Sequence, residues 1–349
     1  MGEPAIEVRG LAKRFGDVQA VAGVDFTVER GELFGFLGPN GAGKTTTINM
    51  ITGLARPDPP LRDGASAEPG RAGAGSIRVA GIDCSKNPKA AQHLMGIVAD
   101  ESNLYPELTG EENLRFCGAL YGMARRERQR RARELLERFG LAEAGGRKFG
   151  GYSRGMKRKL AIAAGIIHGP PVLFLDEPTT GIDVAGARQI RRLIAELNAG
   201  GTTILLTTHY IEEAERLCTR IAFIVAGRIV RVDAVEDLLR QVAGRHVVHL
   251  AVAGSAPELG AAMAAEFPEL RCRAEAEGVR VESSQPIRVG PLVRFCEDRG
   301  ADVAEARRVR PSLEEVFVEV TGIEAGMMQR EKSKGGPGQG RGAKAGGDA

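Results

Sequence analysis

Residues 38–46 read Gly-Pro-Asn-Gly-Ala-Gly-Lys-Thr-Thr. Gly38, Gly43, Lys44 and Thr45 occupy the fixed positions of the pattern GxxxxGK[ST], with Pro39, Asn40, Gly41 and Ala42 between them and Thr46 after. Such glycines let consecutive backbone N–H groups turn inward around phosphate oxygens, and Lys44 supplies a point charge for β and γ phosphates. The Thr45 hydroxyl suits a Mg²⁺ ion. A second stretch, VLFLDEP (172–178), ends an apolar run on Asp176 and Glu177. Asp176 suits the Mg²⁺ shell. Glu177 suits a general base that polarises water, a role typically worth about 10²–10⁴ in rate. In ILLTTH (204–209), His209 closes another apolar run. That place fits a contact to a γ phosphate, although a lone histidine is more often structural. A fourth stretch, GYSRGMKRKLAIAAG (151–165), places Ser153 and Gly155 before a cationic, apolar-striped helix. Its start is a second anion-binding helix end, far downstream of a phosphate loop that already has its own helix, TTTINMITGL.

These groups need strands that end at one edge of a sheet. IEVRGL (6–11), VDFTV (24–28), ELFGFL (32–37), VLFLD (172–176), TILLTTH (203–209) and IAFIV (221–225) are the β-rich runs. VLFLD and ILL are apolar throughout, as strands covered by helices on both faces should be. The alternation with helical patterns predicts an α/β core with a mostly parallel sheet. RRERQRRARELLERFGL (125–141) predicts an amphipathic surface helix whose apolar residues are Leu135, Leu136 and Phe139, ending at Gly140.

Composition bounds the rest. The chain has 349 residues, 43% of them hydrophobic, enough for about two domains. A net charge of +3 is too balanced to imply nucleic acid. No run approaches the 18 or more apolar residues of a membrane span, and MGEPAIEVRG lacks the pattern of a signal peptide. The five cysteines (84, 117, 218, 272, 296) contain no CxxC pair and read as reduced thiols of a cytoplasmic protein. Segment 55–77 is dense in Pro, Gly and Ala, and most of it, about 57–76, reads as a flexible insertion. Residues 323–349 read as a disordered, Gly-rich, basic tail. Between about 240 and 322, VVHLAV, VRVESS and DVAEARRV around APELGAAMAAEF predict a small α+β domain.

The ordered set of Phe15, the loop 38–46, YSRGM (152–156), LDEP (175–178), TGIDV (180–184) and His209 resembles the ATP-binding subunit of ABC transporters, over roughly residues 4–235. The resemblance implies the fold of that class of P-loop NTPases: a mixed sheet with flanking helices and a helical subdomain at about 101–165. It implies ATP and Mg²⁺, and an ATPase coupled to transmembrane transport. YSRGM resembles the signature motif, so Ser153, Arg154, Gly155 and Met156 would face the γ phosphate held by a second copy of the chain. Arg154 stands where the family usually has Gly. Phe15 resembles the aromatic that stacks on adenine, Glu177 the general base, His209 the switch histidine, and Asp183 the D-loop residue that links the two sites. After MGIVA the family usually has Gln, and here the slot falls on Asp100, whose carboxylate would still suit Mg²⁺. We therefore expect a steeper Mg²⁺ dependence than a Gln version would show. The following NLYPELTGEENL resembles the segment that meets the membrane partner, with Leu104 and Tyr105 as apolar contacts or as core residues.

PSLEEVFVEVTG (311–322) resembles the ending of exporter-type subunits that serve separate permeases. Its Leu313, Val316, Phe317 and Val320 are expected to pack on the small second domain and to steady the dimer. The resemblance implies integral membrane permease subunits as partners, no nucleic acid, and a peripheral place on the cytoplasmic face of the membrane. The alternatives are a soluble ATPase acting on ribosomes or DNA, and an importer subunit. Against the former, the chain shows neither two cassettes nor a long coiled coil.

Overall fold

The computed structural model describes residues 2–58, 75–100, 104–252, 255–275, 278–309 and 312–323. Most of the 57–76 segment, Glu101 and residues 324–349 of the tail lie outside them.

Strands β1 (Ile6–Phe15) and β2 (Val18–Val28) form an antiparallel hairpin that turns at Gly16, whose φ is +56°. Strand β3 (Leu33–Leu37) then runs through the phosphate loop into helix α1 (Lys44–Ile51). Strands β4 (Ser76–Val79) and β5 (Ile82–Asp83) return to the hairpin, giving a four-stranded antiparallel sheet in the order β2-β1-β4-β5. Helix α2 (Pro88–His93) leads to β6 (Met95–Val98). Helices α3 (Gly110–Leu120), α4 (Arg125–Arg138) and α5 (Arg154–Gly165) pack together. Thr109 and Glu112 fix the start of α3 by a reciprocal capping box.

The chain then alternates β7 (Val172–Asp176), α6 (Val184–Ala199), β8 (Thr203–Thr208), α7 (Ile211–Leu217), β9 (Arg220–Val225) and β10 (Arg228–Ala234). These strands join β3 and β6 in a six-stranded sheet, order β10-β9-β3-β8-β7-β6, parallel except for β10 at one edge. Successive side chains of a strand point to opposite faces, and the core follows that rule. Leu33, Leu37, Leu173, Leu175, Ile204 and Leu206 join the cluster on the helical side. Phe34, Phe36, Val172, Phe174 and Leu205 join the cluster beneath the hairpin sheet. The sheet is therefore apolar on both faces, as VLFLD and ILL implied.

The runs IEVRGL and VDFTV are not part of this parallel sheet. Their side chains alternate between buried and partly exposed over Ile6–Val8 and Val24–Val28, the pattern of an antiparallel sheet with one wetter face. Helix α4 ends at Arg138, and Phe139 caps it with its side chain buried beside Leu135 and Leu136.

Helix α8 (Val235–Val242) connects to the last layer, made of β11 (His246–Val252), α9 (Ala256–Glu266), β12 (Arg271–Glu275), β13 (Gly278–Ser283), α10 (Val289–Glu297) and β14 (Val303–Val309). Its sheet has the order β12-β13-β11-β14 and a core of its own, including Val248, Leu250, Val279, Val281, Met263 and Phe295. Helix α11 (Leu313–Thr321) corrects an expectation. Leu313, Val316 and Phe317 belong to the core cluster of the first lobe, with Val235, Leu238 and Phe223, and Val320 packs against it. Phe317 meets Phe223 edge-on at 5.5 Å, and Glu215 accepts the Leu313 N–H at 2.9 Å. The helix is amphipathic, but α9 and α10 already occupy the second core. Its apolar face closes over α7, α8 and β9 instead.

Candidate active site

The phosphate loop starts where β3 ends, and glycine is obligatory at two of its positions. A Cβ at Gly38 would collide with the Ile224 carbonyl, and one at Gly43 with the Ala20 carbonyl. Gly41 and Gly43 also have φ of +80° and +99°, which favours glycine. Lys44 opens α1 with its side chain buried, and its Nζ donates to the carbonyls of Gly38 at 2.6 Å and Pro39 at 3.1 Å. The buried Asn40 Nδ2 has no protein partner. No side chain caps α1, so its positive end points along the loop.

At the end of β7, Asp176 Oδ1 accepts from Thr45 Oγ1 at 3.2 Å and from Thr207 Oγ1. Burial raises the Asp176 carboxyl above its ordinary value, and the two hydroxyl hydrogen bonds only partly oppose this. Glu177 follows in a left-handed conformation, φ +47°. Its N–H donates to Thr207 at 3.1 Å, to both the carbonyl and Oγ1. Glu177 Oε1 lies 3.3 Å from Lys44 Nζ. Oε2 lies 2.8 Å from His209 Nδ1 and accepts from Thr180 Oγ1 at 3.0 Å. Burial works against ionisation of Glu177, but the His209 hydrogen bond and the Lys44 charge outweigh it and hold the carboxyl below its ordinary value. Lys44, Glu177 and His209 thus form one buried polar cluster beside Thr45 and Asp176.

The signature residues sit differently. Ser153 caps α5 by accepting the Met156 N–H at 3.3 Å, and both Ser153 and Arg154 are exposed. Arg154 lies against the Gly181 carbonyl at 3.5 Å, and Gly155 lies close to Ile182. Asp183 caps α6 through the Gly186 N–H at 3.2 Å. Ser153, Arg154, Asp183 and Val184 are all exposed, Val184 to 67% although it is apolar. Phe15, at the end of β1, is 55% exposed, with Lys13 Nζ 5.4 Å from its ring centroid. Tyr105 is half exposed and meets Phe116 edge-on at 5.1 Å, whereas Leu104 packs partly buried against the core. Asp100, just past β6, has its carboxylate 3.4 Å from the Arg158 guanidinium.

Three contributors went unread in the sequence. Thr207 holds both acids, and a threonine inside the otherwise apolar strand ILLTTH was the signal. Thr180 supports Glu177. Arg158 reaches the backbone around both Asp100 and Glu177, yet its place in the run KRK looks like ordinary surface charge.

Loop, acids and histidine on this sheet define a phosphate-loop nucleoside triphosphatase. A family model described as ABC transporter matches residues 21–180. The daunorubicin resistance ATP-binding protein DrrA3 of Streptomyces coeruleorubidus is 38% identical over 92% of this chain and 97% of its own. The linearmycin resistance ATP-binding protein LnrL of Bacillus subtilis is 39% identical over 71% of this chain and 75% of its own. Among solved structures, the dimeric post-hydrolysis state of the ATP-binding cassette MJ0796, bound to ADP and Pi, is similar at a TM-score of 0.57. It shares 25% identity, over 66% of this chain and 98% of that one. The chain belongs to the ABC transporter ATP-binding family, and it is an ATP-binding, ATP-hydrolysing subunit of the exporter type. Cassettes of this family dimerise and serve separate membrane permeases. Among the described residues, no helix is long and apolar enough to cross a membrane.

Proposed function

We propose that two copies of this chain pair head to tail around two ATP molecules, and that closure and hydrolysis drive export through a separate permease. The observation that carries this reading is the contrast between a buried Lys44–Glu177–His209 cluster and an exposed signature face. The backbone of residues 38–46, the Lys44 charge and the positive end of α1 bind the β and γ phosphates. Phe15 offers its open ring to adenine. Thr45 and Asp176, with Asp100 as third candidate, are hard oxygen ligands that fit Mg²⁺. When bound, Mg²⁺ neutralises charge on the phosphate oxygens.

Glu177 is ionised at neutral pH because its carboxyl is held low, so it accepts a proton from the attacking water. The water oxygen bonds to the γ phosphorus, the bond from that phosphorus to the bridging oxygen breaks, and ADP leaves. Beside an ionised Glu177, His209 Nδ1 donates to Oε2, and a bond from Nε2 to an acceptor oxygen of the γ phosphate requires an Nε2–H as well, the form of the ring in which both nitrogens donate. The partner's side of the sandwich is Ser153, Arg154, Gly155, Met156 and the positive start of α5, with Asp183 at the seam. Loss of the γ phosphate removes the bridge and the pair opens. Tyr105 and Phe116 form the apolar contact for the permease, which holds the chain on the cytoplasmic face of the membrane. The relatives named for daunorubicin and linearmycin resistance support an antibiotic-class cargo.

The test is Glu177→Gln. It should lower kcat by about 10²–10⁴ and accumulate an ATP-dependent dimer in sedimentation with Mg²⁺. A variant that stays monomeric in ATP contradicts the sandwich.

A further inference from the structure

Lys44 and Arg158 are the two Lys or Arg side chains that are buried among the described residues. Lys44 belongs to the phosphate loop, whereas Arg158 has no part in the hydrolysis steps given above. It lies one helical turn past Arg154 in α5, at 7% exposure, and its guanidinium spends its donors on two other elements. One nitrogen donates to the Ala99 carbonyl at 2.7 Å. The other donates to the Asp100 carbonyl at 2.8 Å and the Glu177 carbonyl at 3.3 Å, and lies 3.4 Å from Asp100 Oδ1. A planar fork can hold several acceptors at once in fixed directions, which an ammonium cannot.

The Glu177 contact matters because of its backbone. Glu177 has φ +47°, a conformation that non-glycine residues keep only when their surroundings hold them there. Thr207 on β8 fixes its N–H, and its carbonyl accepts both from Arg158 on the signature helix and from the Thr180 N–H, each at 3.3 Å. The direction of the Glu177 side chain toward Lys44 and His209 is therefore set from both sides.

We propose that Arg158 is a positioning residue for hydrolysis. From the signature helix it clamps the Glu177 carbonyl and the backbone after β6, and so aims the carboxylate that accepts the proton. Asp100 supplies its counter-charge. The start of α5 carries the exposed Ser153 and Arg154, so a displacement of that helix is carried through Arg158 to Glu177. This inference rests on Glu177 acting as general base, and its test separates the two ideas.

The experiment is steady-state ATPase kinetics of the full chain carrying Arg158→Gln or Arg158→Lys. Calorimetric binding of a non-hydrolysable ATP analogue with Mg²⁺ gives Kd and the number of competent sites. A misaimed reacting group costs about 10²-fold, so kcat per binding site should fall by about that factor in Arg158→Gln while Kd stays within the error of the parent. Arg158→Lys, which keeps the charge without the fork, should fall between. Parental kcat per binding site in Arg158→Gln overturns the proposal, and so does a kcat loss matched by the same loss in Kd. Should Arg158→Gln fail to fold, Arg158→Lys decides: reduced kcat at parental Kd supports the proposal, and parental kcat overturns it. Glu177→Gln is the control. If it keeps parental turnover, the general-base reading fails whatever Arg158 does.

Discussion

The phosphate-loop pocket and the start of the signature helix are both helix ends of the kind that suits phosphate, yet they are finished in opposite ways. In the pocket, Lys44, Glu177, His209, Thr45 and Asp176 are bonded to one another and mostly buried. At the signature, Ser153 caps its own helix, and its neighbours Arg154, Asp183 and Val184 face outward. One half is complete within the chain. The other is an electropositive helix end, with the exposed Arg154 and then Lys157 and Lys159 in its first turns and no acid in the first turn of the helix itself, which we propose serves the ATP held by another molecule. Burial, rather than residue type, separates the two.

The comparison can be sharpened from the buried side first. His209→Ala removes a polar partner of the reacting centre and should lower kcat by about 10²-fold. It should also move the acid limb of the pH profile. In the parent, the His209 hydrogen bond helps hold the Glu177 carboxyl low against burial. Activity that needs ionised Glu177 is present above its folded pKa and is lost as pH falls through it. Without His209, burial gains ground, that pKa rises, and the limb appears at higher pH. A limb that stays in place breaks the link between His209 and Glu177.

Phe15 tests the exposed side without touching phosphate. Base stacking on an aromatic is worth about 1–3 kcal/mol, so Phe15→Ala should weaken ATP binding about tenfold, read as Kd, and leave kcat near the parent. The smallest effect is expected at Asp100. Asp100→Gln should flatten the Mg²⁺ titration of the ATPase; an unchanged titration removes Asp100 from the metal site and leaves it to Arg158 alone.

Where one residue type at one spacing has one use, the sequence is legible. The phosphate loop, the acids after VLFLD, His209 and the signature were readable because glycine geometry, an apolar strand and a helix end each leave a local mark. What escaped is set by neighbours far away in the chain. Strand β12 and helix α10 carry mixed patterns that only the second core resolves. The apolar stripe of α11 reveals that the helix packs, but not that Phe223 and Leu238 receive it. Arg158 is indistinguishable in sequence from its solvated neighbours Lys157 and Lys159. Its meaning comes from the two loops that close over it.

The most direct test of the shared site mixes two inactive variants of the full chain. Lys44→Ala disables the phosphate loop. Ser153→Asp keeps a good helix cap but sets a carboxylate where the γ phosphate must sit. If each site combines one chain's loop with the other chain's signature, the mixed dimer holds one fully intact site. The account predicts that ATPase activity returns on mixing the two purified variants with ATP and Mg²⁺. A mixture as inactive as its components would show that loop and signature act within one chain, and would contradict the account.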